Sequence, residues 1–109
     1  MTTTIEILKA ARDLIAKPEN WTQGHYAVDK FGDPTYIGSE RSVCFCSIGA
    51  LATAGKFHIS HEIPAEILSA LGMDENEIIR FNDEHSHSEV LDLFSKAISS
   101  AEEKQGAAS

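Results

Sequence analysis

The amino-acid sequence predicts a mainly helical α+β fold, with four or five helices packed around a central apolar helix at about residues 43–54 and a small β-hairpin at about residues 24–38. Two observations predict this class. The stretch from Ser42 to Gly55 is apolar or small on almost every side, and a helix without a polar face is typically buried. Between residues 20 and 40, glycines and a proline interrupt the apolar side chains, which is typical of short strands and turns.

The first helix is predicted close to the amino terminus. Thr3 and Glu6 have the spacing of a capping box, in which two side chains bond the free backbone N–H groups at a helix start. Apolar residues then recur at helical spacing on one face: Ile7, Leu8, Ala11, Leu14 and Ile15. Pro18 predicts the end of this helix at Lys17, because the residue before a proline is pushed out of the helical region.

The hairpin is predicted from the turn chemistry at its centre. The segment Phe31-Gly-Asp-Pro34 contains the residue types that tight turns favour. We expect about residues 24–29 to pair with residues 34–38. An ordered loop is the alternative interpretation of the same segment.

Three further helices are predicted in the second half of the chain. Pro64 suits a first helical position and Gly72 suits the position just beyond a helix end, which together define a short helix. Capping-box spacing occurs again at Asp74–Glu77 and at Ser86–Glu89, so a helix is expected to start at each. The last helix carries apolar residues at helical spacing: Val90, Leu91, Phe94, Ala97, Ile98 and Ala101.

Length and composition indicate one globular domain, expected over residues 1–104, with a frayed tail over residues 105–109. The net charge of −8 argues against a direct nucleic-acid contact, because phosphate binding needs clustered lysines and arginines. No apolar run approaches the roughly 20 residues that span a bilayer, so no membrane contact is expected. The amino terminus lacks the pattern of a secretory signal, which predicts a cytoplasmic location.

Several segments together resemble a known family. They are Asn20-Trp-Thr-Gln-Gly-His-Tyr-Ala-Val-Asp29, Cys44-Phe-Cys-Ser-Ile-Gly-Ala-Leu51, Phe81-Asn-Asp83, Glu89-Val-Leu91 and Ala97-Ile98. In combination they resemble a family of small uncharacterised bacterial and phage proteins, a domain of unknown function. The resemblance extends from the first helix to the last. It implies an intracellular bacterial or phage protein and brings no assigned reaction.

The two cysteines have two interpretations. Cys44 lies in the first turn of the predicted central helix, where the helix dipole and free N–H groups lower the pKa of a thiol. A catalytic arrangement would then add a histidine and an amide or carboxylate. The candidates for these roles are His25, His85, His87, Asn82 and Asp83. The opposing interpretation is that Cys44 and Cys46 simply pack in the core, as free cysteines commonly do.

No metal site and no cofactor are expected. The residue pairs with possible ligands are His58/His61, His85/His87 and Cys44/Cys46, which are only two or three positions apart. Structural zinc sites use paired ligands at Cys-x-x-Cys or His-x₃₋₅-His spacing, which none of these pairs has. The glycines fit no phosphate-binding loop.

A candidate binding segment lies in the turn-rich region. It combines aromatic and hydrogen-bonding side chains, and such a mixture suits recognition of a partner or ligand. The predicted binding residues are Trp21, Gln23, His25, Tyr26 and Asp29. The opposing interpretation is that Trp21 and Tyr26 anchor the hairpin to the helices.

The function predicted from these features is that of a small acidic intracellular binding or accessory protein with a protein partner. An inhibitor of a basic host protein is one form of it, because an acidic surface attracts basic partners. The alternative is a small cysteine-dependent enzyme that uses Cys44 with a histidine. A small-ligand binder that uses the segment from Trp21 to Tyr26 is a third possibility.

Overall fold

The computed structural model describes residues 3–58 and 62–108. The helices are α1 (Thr4–Leu14), α2 (Ser47–Gly55), α3 (Ala65–Leu71), α4 (Glu75–Glu84) and α5 (His87–Ala108), and a short 3-10 helix spans Pro18–Asn20. The strands are β1 (Ala27–Val28), β2 (Pro34–Thr35) and β3 (Cys44–Phe45). The mainly helical α+β class predicted from the sequence is confirmed.

The core forms where α1, α2 and α5 meet, with α3 against α5 and α4 against α2. Helix α2 is buried from Ser47 through Ala52, which confirms that an apolar helix lies at the centre of the fold. Burying one large apolar side chain contributes roughly 1.5–3 kcal/mol. Each of the five α-helices contributes at least one such side chain, whereas the 3-10 helix contributes none. The fully buried examples include Leu8, Ile48, Leu51, Ile67, Ile78, Val90 and Phe94.

The helix starts follow the capping signals in the sequence. Thr3 accepts a hydrogen bond from the backbone N–H of Glu6 at 3.1 Å and caps α1. Asp74–Glu77 forms a reciprocal capping box at α4, and Ser86–Glu89 forms another at α5, with bonds of 3.0 and 3.3 Å. These bonds satisfy N–H groups that have no partner inside a helix.

The sheet is antiparallel, with strand order β2-β1-β3. Ala27 lies opposite Thr35 on one side and opposite Phe45 on the other. The predicted hairpin is therefore present, with shorter strands than the sequence indicated. The third strand, β3, was not predicted.

Helix α2 starts later than the predicted boundary of about residue 43. Backbone N–H groups of Val43 and Cys46 donate to the carbonyls of Val28 and Tyr26, at 2.9 and 3.1 Å. These bonds hold the chain extended beside β1, so it becomes helical only from Ser47 onward. Placing Cys44 in the first turn of the helix was therefore wrong.

Helix α5 includes residues 105–108, for which the sequence predicts a frayed end; fraying stays a prediction. Across the part of the chain that the structure describes, no helix combines the length and the apolar character needed to cross a membrane.

Candidate functional site

One buried asparagine ties the predicted binding segment to the helices. Asn82 is 1% exposed. Its Oδ1 accepts hydrogen bonds from Trp21 Nε1 at 2.8 Å, from the backbone N–H of Ser47 at 2.9 Å and from Ser47 Oγ at 2.8 Å. Its Nδ2 donates to the carbonyl of Thr22 at 3.0 Å. The binding segment, α2 and α4 therefore meet at this one side chain.

Gln23 and Gly24 extend the attachment to α4. Gln23 Nε2 donates to the carbonyl oxygens of Asn82, Asp83 and His85, at 3.0, 3.1 and 3.1 Å. Carbonyls in the last turn of a helix lack partners inside the helix, so Gln23 caps the end of α4. The backbone N–H of Gly24 donates to Asp83 Oδ1 at 2.9 Å. Trp21 and Gln23 thus hold the segment in place, as the anchoring interpretation expects for Trp21.

The next two residues, His25 and Tyr26, border a cavity of about 420 Å³ between the hairpin and α4. We call it the hairpin cavity. Its walls include His25, Tyr26, Thr35, Cys46, Ile79 and Asp83. Cys46 is buried and Ile79 half-buried, whereas His25, Tyr26 and Asp83 are exposed. The cavity therefore has an apolar base and a polar rim.

The structure divides the predicted catalytic set. His25 and Asp83 share the hairpin cavity, but the cysteine beside them is Cys46. Cys44 is half-buried in β3, and its thiol donates to the backbone carbonyl of Glu19 at 3.0 Å. The oxygen and nitrogen of the Asn82 amide both take part in bonds that hold the fold together.

Cys46 has the environment of a packing residue. It caps α2 by accepting a hydrogen bond from the N–H of Gly49 at 3.4 Å. Burial raises the pKa of its thiol to about 11, and the negative charge of Asp83 acts in the same direction, against smaller opposing effects of backbone N–H groups. Because the thiolate is the nucleophilic form, a raised pKa disfavours reaction of Cys46 at neutral pH.

We expect Cys46 to react slowly with iodoacetamide in the native protein. A pKa of about 11 in place of 9.0 lowers the thiolate fraction at neutral pH by about 100-fold, and burial also blocks the reagent. Mass spectrometry of native and urea-unfolded protein measures the two rates, with Cys44→Ser and Cys46→Ser variants assigning each thiol. Fast labelling of Cys46 in folded protein would contradict this expectation, and fast stoichiometric labelling of Cys44 would favour the enzyme alternative.

The last predicted binding residue, Asp29, orders the hairpin turn. Its Oδ1 accepts hydrogen bonds from the backbone N–H groups of Phe31 and Asp33, at 2.9 and 3.0 Å. Between these two residues, Gly32 has a φ of +85°, a conformation that favours glycine. This turn presents the Phe31 ring to solvent.

Sequence reasoning missed three exposed apolar residues. The exposed large apolar side chains that the structure describes all lie between residues 26 and 43, and we call them the hairpin patch: Tyr26 (39%), Phe31 (77%), Tyr36 (78%) and Val43 (44%). Only Tyr26 was among the predicted binding residues. Phe31 and Tyr36 have a weak signal in the sequence, because an aromatic residue near a turn glycine can equally fold inward. Val43 falls within the predicted central helix, where an apolar residue is expected to be buried.

Two histidines take part in folding contacts. His87 Nε2 lies 2.6 Å from the carbonyl oxygen of Ile15, and its ring lies 5.4 Å from that of Trp21. His85 stacks on Phe81 with ring centroids 3.8 Å apart. Among the described residues, no three histidine, cysteine or acidic side chains are grouped so that they could hold a metal ion. His61, named in one of the candidate ligand pairs, lies outside them.

Comparison with known proteins gives one result. The model of a family described as a family of unknown function, DUF6197, matches residues 1–100. No curated protein and no solved structure matches the chain. The resemblance to an uncharacterised domain family, noted in the sequence, is confirmed.

Proposed function

The chain belongs to this family of unknown function, and from its own surface we propose that it is an accessory protein that binds a protein partner through the hairpin patch. The distribution of exposed apolar side chains carries the proposal, since those the structure describes are confined to one short stretch of the chain. A concentration of exposed apolar side chains in one segment of a soluble protein favours an interaction site there. Tyrosine and phenylalanine are also enriched in protein interfaces.

The hairpin patch is spread over the small sheet. Tyr26 and Tyr36 adjoin the paired residues Ala27 and Thr35 at one end of the hairpin. Phe31 and Val43 lie toward the turn end, where the N–H of Val43 bonds the carbonyl of Val28 at 2.9 Å. The patch thus offers a partner several apolar groups on a framework of backbone hydrogen bonds.

Hydrogen bonds attach the small sheet to the helices, which favours recognition. Asn82 and Gln23 bond the segment before β1 to helix α4, and β3 leads directly into the buried helix α2. A surface that is already ordered loses less conformational entropy on binding. Recognition residues commonly lie on such scaffold-supported turns.

The net charge of −8 supports a basic partner, because complementary charge steers association. An inhibitor of a basic host protein, acting in a bacterial or phage-infected cytoplasm, is the form of the proposal that this charge favours. The alternative of an enzyme using Cys44 has less support, because that thiol donates to a backbone carbonyl and does not line the hairpin cavity.

The test is a double substitution, Phe31→Ser with Tyr36→Ser. Both side chains are more than three-quarters exposed, so we expect the free energy of unfolding to change by less than about 1 kcal/mol. Proteins captured from host lysate by wild-type protein should be lost with this variant. Calorimetry with the purified captured partner should show at least about tenfold weaker binding, the scale of interface hot spots.

The matched control is Ser95→Ala with Ser99→Ala, two exposed positions on α5. We expect this control to capture the same partner with unchanged affinity. Equal capture by wild type and by the Phe31/Tyr36 variant would place the interface elsewhere. Reproducible failure of the wild-type protein to retain any partner would contradict the proposed function.

A further inference from the structure

Asp83 places a negative charge at the hairpin cavity. Its Oδ1 accepts hydrogen bonds from the N–H of Gly24 at 2.9 Å and from Asn82 Nδ2 at 3.3 Å. Within the described part of the chain, its Oδ2 has no hydrogen bond, and no lysine or arginine forms an ion pair with it. One carboxylate oxygen is therefore fixed in position while the other remains available to a ligand.

The rest of the hairpin cavity suits a long side chain with a cationic end. Cys46 and Ile79 supply an apolar wall, against which an alkyl chain can pack while its charged end stays near solvent. Tyr26 lines the cavity and is 39% exposed, and an aromatic ring attracts cations through its π electrons. The volume of about 420 Å³ lies near the small end of the range of known ligand pockets, about 300–1,000 Å³.

We propose that the hairpin cavity binds an arginine side chain contributed by the protein partner, with Asp83 accepting its hydrogen bonds and Tyr26 packing on its planar guanidinium. This inference rests on the proposed protein-binding function and adds the chemistry of the residue that the partner presents. Arginine fits better than lysine, because its guanidinium both stacks on aromatic rings and donates to carboxylates. An anionic group would be repelled by Asp83 and by the net charge of −8.

The hairpin cavity lies beside the hairpin patch, the surface proposed to bind the protein partner. Tyr26 belongs both to the hairpin patch and to the cavity wall. A partner that covers the patch therefore lies beside the cavity entrance. Covering the entrance would exclude water, which strengthens the attraction between the guanidinium and the Asp83 carboxylate.

The test uses two small probes, N-acetyl-arginine methylamide and its neutral isostere N-acetyl-citrulline methylamide. Each is titrated into ¹⁵N-labelled protein at low salt and followed by NMR. We expect the arginine probe to shift the amide signals of Gly24, His25 and Thr35 saturably, and to bind about tenfold more tightly than the citrulline probe, since a charge-assisted hydrogen bond contributes on that scale.

The matched variants are Asp83→Asn and Asp92→Asn. Asparagine at position 83 keeps an oxygen for the N–H of Gly24 while removing the charge, so the preference for the arginine probe should disappear. Asp92 is exposed on α5, where it pairs with Lys96, and its substitution should leave the preference intact. If Asp83→Asn fails to fold, Tyr26→Leu serves instead and should weaken arginine binding about threefold, because the ring contribution is lost.

Equal binding of the two probes to wild-type protein would overturn this inference, as would an undiminished arginine preference in Asp83→Asn. Either result, combined with partner capture that still depends on Phe31 and Tyr36, would leave the protein-binding function standing. Loss of the arginine preference together with loss of partner capture in Asp83→Asn would support both the arginine site and the protein-binding function.

Discussion

Replacing Asn82 by leucine is expected to remove a large share of the protein's stability. The substitution keeps a side chain of similar size but leaves the backbone N–H and the hydroxyl of Ser47 without their acceptor. Ser47 is fully buried, so water cannot replace the lost bonds. Each unsatisfied buried donor costs about 1–3 kcal/mol, which gives about 2–6 kcal/mol for Ser47 alone. Small domains have only about 5–15 kcal/mol in total.

Urea unfolding followed by far-UV circular dichroism measures this loss. The matched control is Asn76→Leu, which makes the same chemical change at an exposed position of α4 and should alter the free energy of unfolding by less than about 1 kcal/mol. Similar stabilities of the two variants would show that the Asn82 hydrogen bonds contribute little.

A double-mutant cycle tests the assigned cause. Ser47→Ala removes the hydroxyl that donates to Asn82 Oδ1. In wild-type protein this substitution breaks a buried hydrogen bond and should be destabilising. In the Asn82→Leu background the hydroxyl is already unsatisfied, so its removal should cost less or even stabilise. Additive effects of the two substitutions would refute a direct interaction.

Replacing Gly49 by alanine is expected to destabilise the protein, although alanine favours helices. A Cβ atom at this position would overlap the backbone carbonyl oxygen of Tyr26. That carbonyl is held in place because it accepts a hydrogen bond from the N–H of Cys46 at 3.1 Å. Helix propensity alone would stabilise by about 1 kcal/mol. We expect overpacking to outweigh it, with a net loss of about 1–3 kcal/mol and a larger loss for Gly49→Leu.

Overpacking lowers the melting temperature, whereas helix propensity alone would raise it. Thr53→Ala is the control, since Thr53 is exposed on the same helix and gains helix propensity without a clash. Thermal melts should shift downward for Gly49→Ala and stay level or rise for Thr53→Ala. A raised melting temperature for Gly49→Ala would mean that β1 moves freely away from α2.

The candidate site was only partly predictable. The sequence predicts a binding segment from Trp21 to Asp29, and in the structure the contacts of Trp21, Gln23 and Asp29 serve the fold. The sequence could not distinguish the two roles, because the same amide and indole groups serve anchoring and recognition equally well. Of this group, His25 and Tyr26 reach the hairpin cavity, and their part in binding stays a prediction.

The sequence by itself determined where α1, α4 and α5 start, because the signals for these starts are local. A capping residue and its partner lie three positions apart, and the apolar face repeats within one or two turns, so the starts of α1, α4 and α5 were readable without knowledge of distant contacts. The hairpin turn was readable for the same reason, since Gly32 and Pro34 act on their own neighbourhood.

Tertiary structure alone decided the start of α2 and the composition of the site. The residues around Cys44 are compatible with a strand or with a helix. Their hydrogen bonds to β1 selected the strand. In this pairing Cys44 lies opposite Val28, which is about 16 residues earlier in the sequence. Asn82 reaches Trp21 across 61 positions of sequence, and the cysteine beside His25 and Asp83 proved to be Cys46. No local pattern encodes such contacts, because they arise only when separately formed elements pack together.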